Sequence, residues 1–276
     1  MEKNDYIAAL HREAGTFAKV MRANTQPPMP IVPACPDWNT LDLLLHLGSV
    51  QRMVTKIVIE HLQERPAFDS EFVKAMALSP LYLGWLMHTQ PTPDDEPLPA
   101  ELIDWFEEGA AKLEAAFNQI GPDVPLWTWN SADQTAAHWV RVQASEAAIH
   151  RWDAQDAYHC TEPIEPALAL DAINFTFDVL LPKNRVDKKA PTGQDETFHF
   201  HRTDGPGEWL LQFEPSGEVL VERTHAKGDV AVRGTASDLL LWLRQRLHYS
   251  PDVQSRLQVF GDAALLKRYF ELVPPA

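Results

Sequence analysis

Apolar residues recur at helical spacing in four long segments within the first 160 residues, which start near positions 5, 39, 101 and 132. Residues three or four apart share one face of a helix, so each segment predicts an amphipathic helix with one buried side. Asp5 is placed to cap the first of them, and the Pro-rich stretch before position 39 excludes a helix there. Residues 66–99 contain six prolines and predict a long crossover between the second and third helices. Four helices joined in this way predict a four-helix bundle, a fold that often holds metals between facing helices.

After Cys160 the pattern changes. Pro163 and Pro166 precede a further helix that we predict to end near position 181, and a polar loop follows. Four short segments then alternate partly between apolar and polar residues, separated by the turn sequences DGPG, PSG and KG. Two amphipathic segments, residues 237–248 and 262–272, flank another short strand. The chain is therefore predicted to form a bundle over residues 1–160 and a smaller α+β domain with an antiparallel sheet over residues 161–276.

Composition narrows the classes of function. The chain has 276 residues, enough for two domains that each bury a core. Its net charge of −15 argues against nucleic acid or an anionic membrane surface as a partner. The two cysteines, Cys35 and Cys160, form no CxxC pair and predict no disulfide scaffold. The N-terminal residues lack the apolar core of a signal peptide, and no apolar run is long enough to cross a bilayer, so we expect a cytoplasmic protein.

Glu146 and His150 carry the first candidate chemistry. They are four residues apart in the sequence ASEAAIHRWD, inside a stretch that has no Pro or Gly. This spacing places both on one helix face, which is otherwise mostly apolar and should be buried. A buried carboxylate and imidazole are costly to desolvate unless something compensates them. An ion pair between the two and a shared metal ion are both possible, and this stretch alone favours the ion pair.

His46, in LDLLLHLGSV, is a possible third ligand. It lies in another predicted helix, with Leu43, Leu47 and Val50 at helical spacing around it. A single His on an apolar face is usually a core histidine. Two His and one Glu that face inward from two helices fit a metal site better, with one position left open for a ligand.

Three further residues are weaker candidates for the site, and each has a second, purely structural interpretation. Arg233, at a predicted strand end in AVRGTASD, would bind a substrate carboxylate through its guanidinium fork or lie solvated at the start of the next helix. Asp153 would hydrogen-bond a ligand His. For Asp153 and its neighbour Arg151, however, salt bridges between neighbouring helices are the favoured interpretation.

The histidines at positions 199, 201 and 225 raise the question of another metal site. His199 and His201 share one face of a strand, because side chains alternate along it. No third partner is evident in the sequence. We therefore expect these histidines to be structural or exposed.

Several segments resemble a known family. PACPDWNTLDLLLHLG and VRVQASEAAIHRWDAQDA resemble two helices of the mycothiol-dependent maleylpyruvate isomerase family, part of the wider DinB-like metalloprotein group. DGPGEWLLQF, HAKGDVAVRGTASDLLLWL and VFGDAALLKRYF resemble its C-terminal domain. The resemblance covers nearly the whole chain. It implies a divalent metal, usually zinc, bound by His46, Glu146 and His150. It also implies an up-down-down-up bundle, a sterol-carrier-like C-terminal domain, and mycothiol or a related small thiol as cosubstrate.

Zinc with three protein ligands keeps a fourth position open. A thiol bound there should lose its proton near neutral pH, because the cation stabilises the thiolate. The thiolate would add to an activated double bond and leave again in an isomerase, or stay on the product in an S-transferase. We therefore expect an enzyme that acts on a small electrophilic substrate, as a monomer or homodimer. The alternatives are a non-catalytic metal- or small-ligand-binding protein and a metal-dependent hydrolase that needs no thiol.

Overall fold

The computed structural model describes residues 1–67, 69–247 and 256–275. The chain divides into two compact units, Met1–Glu162 and Pro163–Ala276. The division falls two residues after the domain boundary that the change of sequence pattern predicts. No helix in the described ranges combines the length and the apolarity that crossing a bilayer requires.

The N-terminal unit is built on four long helices. Its elements are α1 (Lys3–Ala23), β1 (Ile31–Val32), β2 (Cys35–Asn39), α2 (Thr40–Ile59), α3 (Ser70–Met76), α4 (Pro80–Leu86), α5 (Ala100–Gln119) and α6 (Ala136–Ala157). Asn39 caps α2 by accepting from two backbone N–H groups. The predicted cap of α1 is wrong by one turn. Glu2 is the capping residue, and Asp5 accepts from the Glu2 backbone N–H at 2.8 Å as its capping-box partner.

Contacts at the helix ends fix the direction of each helix in the bundle. The Tyr158 hydroxyl, just after α6, donates to the carbonyl oxygen of Asn24 and lies 3.0 Å from the Thr40 hydroxyl. The end of α6 therefore meets the end of α1 and the start of α2. Arg22, near the end of α1, pairs with Asp104 near the start of α5. The order is up-down-down-up, and the parallel pair α2 and α5 needs the long connection that holds α3 and α4.

The C-terminal unit combines helices with a five-stranded sheet. Its elements are α7 (Pro166–Phe175), a π-helical turn over residues 176–180, α8 (Leu181–Asp187), β3 (Glu196–Arg202), β4 (Glu208–Phe213), β5 (Val219–Glu222), β6 (Val230–Gly234), α9 (Ala236–Leu243), β7 (Gln258–Gly261) and α10 (Leu265–Leu272). Helical structure thus continues beyond the predicted end near residue 181. Pro182 lies within this continuous helical run, directly after the π-helical turn. The predicted helix at 237–248 is shorter, and position 248 lies outside the described residues.

The sheet order is β5-β4-β3-β6-β7. Three of its four strand pairings are antiparallel, but β3 and β6 are parallel, because the chain leaves the edge strand β5 and returns on the other side of β3. One face of the sheet carries the buried Phe198, Phe200 and Trp209. The fold class predicted from the sequence, a helical bundle followed by an α+β domain, is confirmed.

Candidate metal centre

His46 and His150 meet between α2 and α6. Their ring centroids are 5.2 Å apart, and the rings stand nearly perpendicular to each other. The Trp38 ring lies on another side of His46, with the centroids 4.8 Å apart. His46 lies about two turns after the start of α2, and His150 lies about two turns before the end of α6. Because the start of α2 meets the end of α6, the two histidines fall at the same level of the bundle. The packing thus brings together two histidines that are far apart in the sequence.

Glu146 lies beside His150 on the same helix. Its Oε2 lies 3.6 Å from Nε2 of His150, one turn along α6. The Glu146 side chain is 29% exposed, whereas that of His150 is 7% exposed. The carboxylate therefore lies where the group meets solvent, and the imidazole lies behind it.

The distance between Glu146 and His150 is that of an ion pair without a good hydrogen bond, and it also accommodates a shared cation. A hydrogen bond between a nitrogen and an oxygen has a length of about 2.7–3.2 Å. Two ligand atoms about 2.05 Å from one tetrahedral zinc ion lie about 3.3 Å apart. The observed 3.6 Å is too long for a good hydrogen bond and is close to the spacing of two ligands of one cation.

Asp153 orients His150 from the other side of the ring. Nδ1–H of His150 donates to Oδ2 of Asp153 at 2.9 Å, and Asp153 is fully buried. Histidines that bind metals commonly donate their second ring N–H to a carboxylate in this way. This contact is the hydrogen bond to a histidine that the sequence offered for Asp153 as the alternative to a salt bridge between helices. Arg151 does bridge helices, because its Nε donates to Glu13 of α1 at 2.8 Å.

The electrostatics favour the unprotonated form of His46. Burial lowers the pKa of His46 to about 4, and the nearby His150 acts in the same direction, against the opposing effect of Glu146 and Asp153. A neutral imidazole is the form that binds metals. Two neutral imidazoles and a carboxylate make a donor set that zinc takes in sites with an open position. The residues present therefore fit a divalent cation.

Two buried amides lie on the helices that carry these residues. Gln143 occupies the same face of α6 as Glu146 and His150, three and seven residues earlier, and is 1% exposed. Gln51 of α2 is fully buried. Neither amide has a hydrogen-bond partner among the described residues. Buried polar groups without a protein partner call for an explanation, and a site that binds ligands supplies one.

The other candidates lie in the C-terminal unit. Arg233 is on β6 with an exposed side chain, and it is the register neighbour of His201 on β3. The expectation that His199 and His201 lack a third partner is wrong, because Glu208 and His225 lie beside them. The signal for Glu208 was present in the sequence. The strands flanking the DGPG turn pair with each other, which brings Glu208 opposite His201.

Comparisons with known proteins agree with this architecture. A model of the mycothiol maleylpyruvate isomerase N-terminal domain matches residues 8–155, and a model of the MDMPI C-terminal domain matches residues 167–268. A crystal structure of the mycothiol-dependent maleylpyruvate isomerase is 11% identical, with a TM-score of 0.61, and covers 95% of each chain. A structure of a point mutant of that enzyme is 10% identical, with a TM-score of 0.62 and the same coverage.

Because the sequence identities to these two structures are 10% and 11%, the similarity shows a shared fold. The search of curated proteins finds no match. The two domain models together span most of the chain, in the order in which its two units occur. The chain therefore belongs to the mycothiol maleylpyruvate isomerase family.

Proposed function

We propose that His46, Glu146 and His150 hold a divalent cation, with zinc the best fit, and that the protein uses it to activate a low-molecular-weight thiol. The observation that carries this proposal is the contact between the rings of His46 and His150, with the Glu146 carboxylate beside His150. The two rings are 5.2 Å apart, and the carboxylate is 3.6 Å from the His150 nitrogen. Three protein ligands leave room for a fourth.

A bound divalent cation would supply the positive charge that favours a thiolate over a thiol at neutral pH. The chain's own residues prepare the site for it. Asp153 fixes which ring nitrogen of His150 faces Glu146, and burial keeps His46 neutral. The partly exposed Glu146 marks the side from which a small molecule reaches the group.

Membership of the family supports mycothiol or a related thiol as cosubstrate, and a small electrophile as substrate. The reaction is isomerisation when the thiol adds and leaves, and S-transfer when it stays on the product. The cytoplasm is the compartment we propose.

We assign Gln143 a binding role. Its amide is buried next to Glu146 on the same helix face, so a ligand that reaches the group can take the hydrogen bonds that the described residues do not. Binding of a substrate carboxylate by Arg233 stays a prediction from the sequence; its side chain is exposed and offers a bidentate fork. Gln143→Leu should raise KM more than it lowers kcat.

The experiment combines metal-loaded protein, mycothiol and the electrophile monochlorobimane, and measures conjugation above the uncatalysed rate. We expect wild-type turnover to require both metal and thiol. His46→Ala should abolish it and lower the bound zinc by about one equivalent, as measured by plasma mass spectrometry. The matched control is His11→Ala, which removes an exposed histidine that pairs with Glu114 elsewhere on the bundle.

The other outcomes separate the alternatives. Full conjugation by His46→Ala, or by metal-free protein, would contradict the proposal. Turnover of an ester or amide without thiol would favour the hydrolase. Metal binding with neither activity would favour a binding protein.

A further inference from the structure

Four side chains that the proposed reaction does not use gather on the C-terminal sheet. Nε2 of His199 lies 3.0 Å from Oε2 of Glu208, and Nδ1 of His201 lies 3.2 Å from Oε1 of the same carboxylate. Nδ1 of His225 lies 2.5 Å from Oε2. One nitrogen or oxygen atom from each of the four residues falls within 4.8 Å of all the others.

The backbone holds three of the four in fixed positions. Alternation along β3 directs His199 and His201 to the same face of the sheet. The antiparallel register pairs His201 with Glu208 on β4. His225 comes from the loop between β5 and β6. A cluster on paired strands is more precisely placed than one built on loops alone.

We propose that His199, His201, Glu208 and His225 form a second divalent-metal site, separate from the one in the helical bundle. Three imidazole nitrogens and one carboxylate oxygen are a complete tetrahedral ligand set for zinc. Ligand atoms around such an ion lie about 3.3 Å apart, so the observed spacing needs only small side-chain rotations. Imidazole and carboxylate together favour zinc and similar transition metals over calcium or magnesium.

The exposure of the four side chains is graded. The side chain of His199 is 7% exposed, those of Glu208 and His201 are 25% and 27% exposed, and that of His225 is 78% exposed. A cation can therefore reach the cluster from solvent, and the exposed His225 would bind it on the solvent side.

The alternative is a hydrogen-bonded His–Glu network that needs no metal. The bundle offers a simple pair for comparison, because His11 lies 2.9 Å from a single carboxylate oxygen of Glu114 on the surface. At Glu208, by contrast, three imidazoles converge on one carboxylate. A network and a metal site predict different metal contents, so they can be separated directly.

The test measures zinc in full-length protein that carries no histidine tag. We expect about two equivalents in the wild type, about one in His46→Ala and close to none in His46→Ala combined with His225→Ala. His225 is exposed, so its substitution leaves the fold intact, as far-UV circular dichroism can verify. His46→Ala combined with His11→Ala is the matched control and should retain one equivalent.

Cobalt substitution gives a second readout. In His46→Ala protein, cobalt bound at the cluster should give the intense visible absorption of tetrahedral coordination. Glu208→Gln or His225→Ala should weaken cobalt binding at least tenfold. Equal zinc content and equal cobalt affinity with and without His225 would overturn the proposal, as would the absence of any metal from His46→Ala. If His46→Ala retains two equivalents and His225→Ala loses one, the bundle site fails and the sheet site stands.

Discussion

Nδ1 of His150 lies 2.9 Å from Oδ2 of Asp153, a carboxylate that is fully buried one turn further along the same helix. This hydrogen bond leaves Nε2 as the free ring atom, and Nε2 is the atom that lies 3.6 Å from Glu146. The orientation of one proposed metal ligand is thus set by a residue that is not itself a ligand. The buried carboxylate also makes His150 a stronger donor to a cation.

Asp153→Asn should therefore weaken metal binding without preventing it. Removing a partner of this kind typically lowers metal affinity about 10- to 100-fold. The affinity should be measured by competition with a chromophoric chelator, in protein carrying His225→Ala so that only the bundle site is followed. Asp104→Asn removes an exposed charge elsewhere on the bundle and serves as the control. Equal affinities in the two variants would exclude the role given to Asp153.

Gly48 allows α2 to approach α5 closely, two residues after His46. A Cβ at this position would lie 2.2 Å from the Trp105 ring, which is held in place by a hydrogen bond from its indole N–H to the Met76 carbonyl. Relieving this overlap costs about 3 kcal/mol, whereas Ala gains about 1 kcal/mol in helix propensity. Gly48→Ala should thus lower the free energy of unfolding by about 2 kcal/mol, as measured by urea denaturation.

The control for that variant is Gly15→Ala on α1. An added Cβ at Gly15 meets nothing within 4 Å, so only the helix propensity changes. We expect this variant to gain roughly 0.5–1 kcal/mol. Opposite signs for the two glycines would identify the contact with Trp105 as the cause. The same sign for both would show that the helices move apart easily.

Glu13 and Arg151 form a buried ion pair between α1 and α6. Both side chains are less than 5% exposed, and the guanidinium also donates to Gln155 and to the Glu162 carbonyl. Removing Arg151 leaves Glu13 paired only with the half-exposed Arg12, whose Nε lies 3.0 Å from Oε1. Because one partner remains, the cost should fall at the lower end of the range for a broken buried pair, about 3 kcal/mol. Arg151→Met should be destabilised by about this amount in urea denaturation. Glu13→Gln added to Arg151→Met should recover part of the loss, and a purely additive double variant would contradict the pairing.

His138 makes the folded state sensitive to acid. It is 2% exposed, and burial lowers its pKa to about 4, with Arg141 acting in the same direction and Asp133 against it. In the unfolded chain the pKa of a His is about 6.5, so the unfolded state binds more protons between pH 6.5 and 4. Stability should fall as the pH decreases through this range, by up to about 1.4 kcal/mol per pH unit from this group.

His138→Leu cannot take up that proton. Its free energy of unfolding, measured by urea denaturation from pH 7 to pH 4.5, should therefore depend less steeply on pH than that of the wild type. The difference in slope isolates His138 from other groups that titrate in the same range. Parallel curves for the two proteins would show that His138 is protonated equally in both states.

Local periodicity determined much of this protein from the sequence alone. Helical spacing placed Glu146 and His150 on one face, and alternation along a strand placed His199 and His201 together. These relationships depend on backbone geometry between near neighbours, so a sequence expresses them directly. The same periodic segments predicted four long helices followed by a strand-rich region, whereas the up-down-down-up direction of the helices came from the resemblance to the family.

Tertiary packing decided the rest. The meeting of His46 with His150, the parallel pairing of β3 with β6 and the place of His225 beside Glu208 all join residues through the fold. Such contacts depend on how whole helices and strands bury their apolar faces together. No local pattern encodes that balance, because several packings satisfy each segment and only the complete core selects one.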